Sequence, residues 1–464
     1  MDGRALGVVR NLFAHVDASL PRETATQSEH ARRLFAALGR EGGQVEAFGD
    51  VECMKTRTAD LGTWSEDPWP GPTYGLDASS TRPIEYTNGL VLDTAHAKLG
   101  VAGGAGGDGS SSGAERADGG QANATGAGVT TGHTTASAPT DRAIEADGTV
   151  VTVAYFDDPE SGFYSRSFTT DGGRVDGEVL AVPGSVGRTA NVSRRVSTAA
   201  QRLAEGRHAA ERVQAIDGVL FLDGSVYPLG VLYWLMLDAV GRSSLASAWK
   251  KPREIVGHYV DLVDTQYERG VPVIGVVKTS TTGQVLDALE AKIDAHELTD
   301  ARGNRLAVPW RRDHGFVGEV LRDSSLDHLT YTSWFVQQGV TVDSRSFEPL
   351  SPVADRLTHG DPADYRRAFF YARLPKTGAV LRVETPLLLL EDERLGPAIR
   401  WKALSEIARR GDVPGAVARA DRLARISPDN RERIRGLITA AERYHDYNRD
   451  GRWKHVEDPS EIDR

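Results

Sequence analysis

Two apolar segments in the middle of the chain restrict the fold more than any other feature. The segments GVLFLDGSVYP, which begins at Gly218, and VPVIGVVKTS, which begins at Val271, are continuous apolar runs of strand length. A strand without alternating polar residues needs cover on both faces, which is typical of α/β proteins. Residues 188–216 and 252–269, which precede the two runs, carry apolar side chains at helical spacing. The sequence therefore predicts an α/β protein with a mixed central sheet flanked by helices.

Further elements continue this pattern on both sides of the apolar pair. Residues 3–38 have apolar side chains at helical spacing and predict two helices interrupted near Pro21. The run TVVTVAYFD, which begins at Thr149, is rich in β-branched residues and predicts a strand. We expect three more strands at residues 326–335, 364–374 and 380–384, and helices at residues 396–410 and 413–444.

Composition divides the chain of 464 residues into segments. Gly accounts for 11 of the 29 residues from 100 to 128, and such a segment buries too little apolar area to offset its ordering entropy. We therefore predict a disordered Gly-rich insertion at residues 100–147. The other predicted parts are an N-terminal helical segment at residues 1–50, one domain formed by residues 51–99 and 148–445, and a polar C-terminal tail at residues 446–464.

The chain is acidic on average, but its charges are unevenly distributed. It has 55 Lys and Arg against 65 Asp and Glu, a formal net charge of −10. This excludes a uniformly basic nucleic-acid-binding chain, although a local basic groove remains compatible with it. Of the cations, 46 are Arg and nine are Lys, which is typical of a GC-rich and halophilic genome. Many Arg collect between Arg409 and Arg435, where they either line a DNA channel or form a solvated face with the interleaved acids.

Several function classes have no support in the sequence. Cys53 is the one cysteine, which excludes an intramolecular disulfide and a multi-cysteine metal site. The sequence contains no P-loop, no HExxH zinc motif and no GxSxG nucleophile elbow in a strand-to-helix context. No segment has the character of a signal peptide or a membrane span, so we expect a cytoplasmic protein that does not associate with a membrane.

Two aspartates that follow apolar strands form the most informative pair. Asp77 in YGLDASS ends a predicted short strand at residues 74–76, and Asp223 in FLDGSV ends the first apolar run. If the strands are neighbours, both carboxylates converge at one edge of the sheet, where α/β proteins tend to keep reactive groups. Converging carboxylates repel unless a proton or a divalent cation lies between them, and oxygen ligands suit Mg²⁺ or Mn²⁺. Each motif is also an ordinary turn sequence, which is the structural alternative.

More residues are candidates for the same chemistry. A third acid on the helix before the second aspartate would complete a cation site, and both Glu205 and Glu211 are available there. Lys278 ends the second apolar run and either neutralises charge on a phosphate or extends to solvent. Arg82, shortly after the first aspartate, is either a phosphate contact or a surface ion-pair partner.

The succession of these blocks resembles the archaeal NurA nucleases, and the chain is similar to a haloarchaeal-type member. GLDASSTRP, a helix with Glu205, GVLFLDGSVYP and VPVIGVVKTS occur in the order and spacing of that family, over residues 74–99 and 149–438. The resemblance implies a ribonuclease H-like fold, a homodimeric ring, and Mn²⁺-dependent 5′ to 3′ exonuclease and single-strand endonuclease activity, with Mg²⁺ as the alternative ion. It also implies DNA end resection and double-strand break repair beside a HerA-type hexameric ATPase, with single- and double-stranded DNA ends as substrates.

The resemblance also implies roles for individual residues. Asp77 and Asp223 match the metal-binding aspartates of the family. Glu205 fits the helical glutamate better than Glu211, which lies closer to the second aspartate than the pattern requires. The predicted catalytic set is therefore Asp77, Glu205, Asp223 and Lys278.

The chain departs from the family pattern near its C-terminus. The family has a Tyr-Pro block and a His eight residues after the Tyr, whereas the matching stretch VPGAVARAD has Val413 and Asp421 at these positions. Asp421 retains an oxygen ligand, so the predicted metal ligands are Asp77, Asp223, Glu205 and Asp421, but the Tyr hydroxyl is lost. Three functions remain open: a Mn²⁺-dependent deoxyribonuclease, a non-catalytic DNA-threading dimeric ring or adaptor with the same fold, and an unrelated α/β phosphoesterase for small phosphorylated molecules.

Overall fold

The computed structural model describes residues 3–19, 24–86, 91–103, 149–157, 163–170, 173–183, 190–242, 249–278, 283–300, 302–342 and 345–439. The helices in chain order are α1 (Gly3–Ser19), α2 (Thr24–Ala36), α3 (Thr58–Gly62), α4 (Ala190–Arg212), α5 (Leu229–Ala239), α6 (Lys251–Glu268), α7 (Gln284–Ala295), α8 (Asp313–Val320), α9 (Leu387–Glu391), α10 (Gly396–Arg410), α11 (Gly415–Ala424) and α12 (Pro428–Thr439). The strands in chain order are β1 (Val45–Arg57), β2 (Thr73–Ser80), β3 (Ile84–Glu85), β4 (Val91–Ala102), β5 (Thr149–Asp157), β6 (Phe163–Thr170), β7 (Gly173–Pro183), β8 (Leu220–Asp223), β9 (Val273–Val277), β10 (His328–Gln337), β11 (Val340–Val342), β12 (Arg345–Phe347), β13 (Arg367–Arg373) and β14 (Val380–Pro386).

The described residues divide into two compact units. The first unit is drawn from residues 1–57, 279–336 and 370–381, and the second unit is drawn from the remaining described residues. In the first unit, Phe35 of α2 packs edge-on against Phe335 of β10 and at a tilt against Phe316 of α8. The site residues predicted from the sequence all belong to the second unit.

The second unit is built on a mixed sheet with the strand order β14-β9-β8-β2-β4-β5-β7-β6. Strand β4 pairs antiparallel with β2 and with β5, whereas β8 lies parallel to both β2 and β9. Helix α4 connects β7 to β8 and packs against β2, β4 and β5. This is the mixed central sheet flanked by helices that we predicted.

Helices α4 and α11 cover opposite faces of β2 and β4. The Ser80 hydroxyl of β2 lies 3.3 Å from the Ser197 hydroxyl of α4, whereas Gly75 of β2 lies against the backbone of α11. Successive side chains of a strand point to opposite faces, so positions 75 and 80 face different sides of the sheet. Because these strands are covered on both sides, Leu76 and its neighbour Leu222 on β8 are fully buried.

Most predicted elements are present, with shifts at their ends. The N-terminal region forms the two predicted helices, but residues 45–57 form a strand, so the helical segment predicted for residues 1–50 ends earlier. Strand β4 continues through Ala102, so residues 100–102 of the predicted insertion belong to a strand. Residues 104–148 and the predicted polar tail at residues 446–464 lie outside the described residues. No helix in the described ranges is both long and apolar enough to cross a membrane.

Candidate metal centre

The two strand aspartates lie side by side in the second unit. Strands β2 and β8 pair in parallel with Leu76 aligned to Leu222, so Asp77 and Asp223 follow at the same level of the sheet. Asp223 is the last residue of its strand, as predicted. The predicted strand end at Asp77 is wrong, because antiparallel pairing with β4 keeps β2 extended as far as Ser80. The small residues after Asp77 therefore continue the ladder and do not form a turn.

A third carboxylate reaches this pair from helix α11. One carboxylate oxygen from each of Asp77, Asp223 and Asp421 lies within 4.8 Å of the other two. All three residues are only partly buried, so the cluster is reachable from solvent. We call these residues the three-aspartate cluster.

Helix α11 approaches the sheet closely because two glycines face each other across β2 and β4. Gly75 is paired with Gly100 in this ladder. A Cβ on Gly75 would lie 2.1 Å from the carbonyl oxygen of Ala416, and a Cβ on Gly100 would lie 2.5 Å from the backbone nitrogen of Ala420. Any side chain at either position would therefore push away the helix that carries Asp421.

Burial and mutual repulsion disfavour the charged forms of these acids. Burial, together with the nearby Asp223 and Glu205 carboxylates, raises the pKa of Asp77 to about 7. Burial also raises the pKa of Asp223, against the effect of the hydrogen bond that Lys278 Nζ donates to its Oδ2 at 2.6 Å. A divalent cation between the carboxylates would favour their ionised forms, because opposite charge within a few ångströms lowers a carboxyl pKa.

Glu205 lies beside the three-aspartate cluster but is not one of its three carboxylates. It is buried on α4 and pairs with Arg202, one helical turn earlier. Burial raises the pKa of Glu205, and Arg202 opposes this effect. The Tyr259 hydroxyl also acts on the Glu205 carboxylate and lowers its pKa. Glu211 instead pairs with Arg207 at 2.8 Å, so the geometry favours Glu205 over Glu211 as the acid near the aspartates.

The remaining candidates take different positions. Lys278 is 37% exposed and contacts Asp223, so it does not simply extend into solvent. Arg82 is exposed in the left-handed region with φ of 68°, and no ion pair joins it to the cluster in the described part of the chain. Val413, which stands where the family has Tyr, is 7% exposed. Arg425 forms an ion pair of 2.9 Å with Asp421.

A sequence model of the NurA domain matches residues 165–426, which is more than half of the chain. The chain belongs to the NurA family. In this NurA-family chain, the matched region includes Glu205, Asp223, Lys278 and Asp421, whereas Asp77 lies before its first residue.

The NurA-family chain is also similar to solved NurA structures. The crystal structure of the NurA nuclease from Sulfolobus solfataricus matches with 12% sequence identity and a TM-score of 0.40, and the match covers 82% of this chain and 88% of that chain. A crystal structure of NurA with manganese matches with 10% sequence identity and a TM-score of 0.37, and this match covers 81% of this chain and 91% of that chain. Membership of the family rests on the sequence match, since these structural likenesses are distant. Among the curated proteins, none matches the chain.

Two features of this NurA-family site were not predicted from the sequence. The first is the glycine pair; a glycine inside an apolar strand signals close approach of another backbone, so Gly75 in YGLD could have been recognised. The second is Glu384 of β14, a fully buried carboxylate that contacts the loop after Asp223. Its strand was predicted, but no local pattern marks the acid within LRVETP.

Proposed function

We propose that the chain is a metal-dependent deoxyribonuclease that hydrolyses phosphodiester bonds. The observation that carries this proposal is the three-aspartate cluster, with carboxylate oxygens of Asp77, Asp223 and Asp421 within 4.8 Å of one another. Membership of the NurA family supports DNA as the substrate.

The residues of the cluster fit a hard divalent cation. Carboxylate oxygens are the ligands that Mg²⁺ and Mn²⁺ prefer, and the family resemblance favours Mn²⁺. Burial first and the neighbouring acids second raise the pKa of Asp77 to about 7, so a cation beside Asp77 would favour its ionised form. The three oxygens come from two paired strands and a helix packed against them, so rigid elements hold their arrangement.

A cation held there would supply two effects, polarisation of a phosphoryl oxygen and a lowered pKa of the attacking water. Asp77, Asp223 and Asp421 would hold the cation, and Glu205, whose charge acts on Asp77, would be the fourth ligand. Lys278 keeps Asp223 in place through its hydrogen bond, and its partly exposed ammonium adds positive charge where the phosphate would bind.

We also propose the finer activities that the resemblance implies. These are 5′ to 3′ exonuclease and single-strand endonuclease action on DNA ends, in double-strand break repair in the cytoplasm with a HerA-type hexameric ATPase. Arg419 and Arg422 support DNA binding near the cluster, because they are exposed on the same helix as Asp421. A homodimer is supported by the first unit, where α1 exposes large apolar side chains of the kind that protein partners bury: Leu6, Val8, Leu12 and Phe13.

The second candidate function is a non-catalytic dimeric ring that threads DNA for the translocase. The observation that favours it is Val413, which is buried and offers no polar group in place of the family Tyr. Asp421 favours the nuclease instead, because a carboxylate in place of the family His still reaches the two strand aspartates. The two functions therefore differ in whether the aspartates are needed.

A cleavage assay distinguishes these functions. End-labelled single- and double-stranded DNA is incubated with Mn²⁺ or with EDTA and with the wild type, Asp77→Asn or Asp223→Asn. We expect cleavage only with Mn²⁺, and a loss of about a thousandfold in both variants, because a catalytic ion contributes several kcal/mol to transition-state stabilisation. Asp429→Asn, which changes an exposed acid on α12, is the matched control and should cleave at the wild-type rate.

Two results would contradict the nuclease. Undiminished cleavage by both Asp77→Asn and Asp223→Asn would remove the three-aspartate cluster from the mechanism. DNA binding without cleavage by the wild type, at any Mn²⁺ concentration, would favour the threading ring.

A further inference from the structure

A second buried carboxylate contacts the loop that follows strand β8. Oε1 of Glu384, on β14, accepts hydrogen bonds from Arg367 at 3.0 Å and from Nε of Arg382 at 2.7 Å. Its Oε2 accepts hydrogen bonds from the Ser225 hydroxyl at 2.5 Å and from the backbone N–H of Val226 at 3.3 Å. The arginines thus hold one oxygen, and the loop binds the other. We call Glu384, Arg367, Arg382 and Ser225 the Glu384 cluster.

Glu384 reaches this loop across β9 because Gly275 leaves room. Gly275 of β9 is paired with Glu384 of β14 on one side and with Leu222 of β8 on the other. Leu222 is the residue before Asp223. A Cβ on Gly275 would lie 2.7 Å from the carbonyl oxygen of Gly224 and 2.9 Å from the backbone nitrogen of Val226. The loop therefore lies directly over Gly275, with the carboxylate on its far side.

The Glu384 carboxylate stays ionised at neutral pH and is a strong acceptor. Burial acts to raise the pKa of Glu384, but Arg382 and Arg367 together lower it to about 2. Hydrogen bonds to an ionised acceptor are about twice as strong as neutral ones. The Ser225 hydroxyl is therefore firmly anchored to β14.

The anchored loop also constrains Asp223. Gly224 has φ of 139°, a conformation that other residues rarely adopt, and its N–H donates to Leu222 at 3.0 Å and to Val276 at 3.1 Å. Asp223 thus stands between a paired strand on one side and a turn bound to Glu384 on the other. A change in the turn would rotate the Asp223 carboxylate relative to Asp77.

We infer that Glu384 is a positioning residue for the metal centre, which acts through Ser225 on the turn after Asp223. This inference rests on the proposed function, since it concerns how tightly the three-aspartate cluster binds a divalent cation. Hydrogen bonds that orient metal ligands from outside the ligand shell typically contribute about 10- to 100-fold to metal affinity. Because Glu384 acts through the backbone, we expect its effect at the lower end of that range.

Calorimetric titration of the metal-free full-length protein with Mn²⁺ tests this role. Ser225→Ala should raise the Mn²⁺ dissociation constant by about tenfold. It should also speed amide hydrogen exchange at Gly224 and Val226, because their anchor is lost. Ser225→Thr keeps the hydroxyl and should bind Mn²⁺ like the wild type.

Thr385→Val is the matched control. The buried Thr385 hydroxyl, next to Glu384 on β14, donates to the carbonyl of Val273 at 3.1 Å, so this variant loses a hydrogen bond of the same sheet without changing the loop. Its Mn²⁺ dissociation constant should equal that of the wild type.

The outcomes separate this inference from the proposed function. Equal Mn²⁺ dissociation constants for the wild type and Ser225→Ala would overturn the positioning role alone. An equal rise of the Mn²⁺ dissociation constant in Thr385→Val would also overturn the positioning role, because general loosening of the sheet would then explain the weaker binding. Absence of Mn²⁺ binding by the wild type would overturn the metal centre itself, and the positioning role with it.

Discussion

Two carboxylate clusters on the same sheet have opposite electrostatics. In the Glu384 cluster, Arg382 and Arg367 hold the pKa of Glu384 at about 2. In the three-aspartate cluster, burial and neighbouring acids raise the pKa of Asp77 to about 7. Lys278 pairs with Asp223 and Arg425 pairs with Asp421, but no cation of the described residues forms an ion pair with Asp77. The difference lies in the source of the compensating charge. A carboxylate that the chain neutralises serves the structure, whereas one without a cation partner favours a cation from solution.

The clusters also differ in access from solvent. The Glu384 side chain is 0% exposed, whereas the Asp421 side chain is 37% exposed. An ion or a DNA strand therefore has a path to the aspartates and none to Glu384. The comparison predicts that removing a negative charge lowers the free energy of unfolding in the Glu384 cluster and raises it in the metal-free three-aspartate cluster.

The largest effect on stability is expected from Glu384→Gln. This variant leaves Arg367 and Arg382 buried without their counter-charge, and breaking a buried ion pair typically costs about 3 to 5 kcal/mol of unfolding free energy. Folding lowers the pKa of Glu384 from its usual value of 4.5 to about 2. The stabilisation that the Glu384 charge contributes is therefore fully present above pH 4.5 and is lost as the pH falls towards about 2. Urea unfolding at pH 7 and near pH 3.5 should show a difference from the wild type that shrinks at the lower pH. A difference independent of pH would contradict the ion pair.

In the absence of metal, Asp77→Asn should be more stable than the wild type, which is the opposite of the effect of Glu384→Gln. The pKa of Asp77 is raised from 3.8 to about 7, so the folded state binds this proton more tightly and wild-type stability falls as the pH rises through that window. In EDTA at pH 8 the variant should exceed the wild type by about 1 to 3 kcal/mol, after discounting for partial exposure. Excess Mn²⁺ should reverse the order, because only the wild type binds it tightly.

Thermal unfolding of both proteins, in EDTA and in Mn²⁺, measures these two differences. A wild type that is more stable than Asp77→Asn in EDTA would mean that the chain itself neutralises the three-aspartate cluster. The contrast with the Glu384 cluster would then disappear.

The smallest effect is expected from Arg425→Ala. Arg425 is 65% exposed and pairs with Asp421 one helical turn away, a type of pair that contributes about 0.3 to 0.5 kcal/mol. Urea unfolding in EDTA should therefore show almost wild-type stability. A loss of several kcal/mol would show that Arg425 neutralises its aspartate as effectively as Arg382 neutralises Glu384.

Local patterns in the sequence predicted much of the fold and part of the site. Continuous apolar runs predicted the buried strands, and the run before Asp223 correctly ended at that residue. Asp77 was wrongly predicted to end its strand, because DASS resembles a turn until its pairing with β4 is known. Asp421 was identified only through the family resemblance, since nothing in ARAD marks an acid near a distant strand.

By itself, the sequence determined the α/β class, the buried strands and Asp223 at the end of one of them, because burial is recorded in the periodicity of consecutive residues. Only the tertiary structure decided which acids meet. The convergence of Asp77, Asp223 and Asp421 depends on a parallel register and on a glycine pair that admits a helix. Likewise, whether a carboxylate is neutralised depends on which cations the fold brings against it: Arg382, on the same strand, and Arg367, on another strand, both reach Glu384. Coulomb interactions follow separation in space and the local dielectric, and neither quantity can be read from the order of residues.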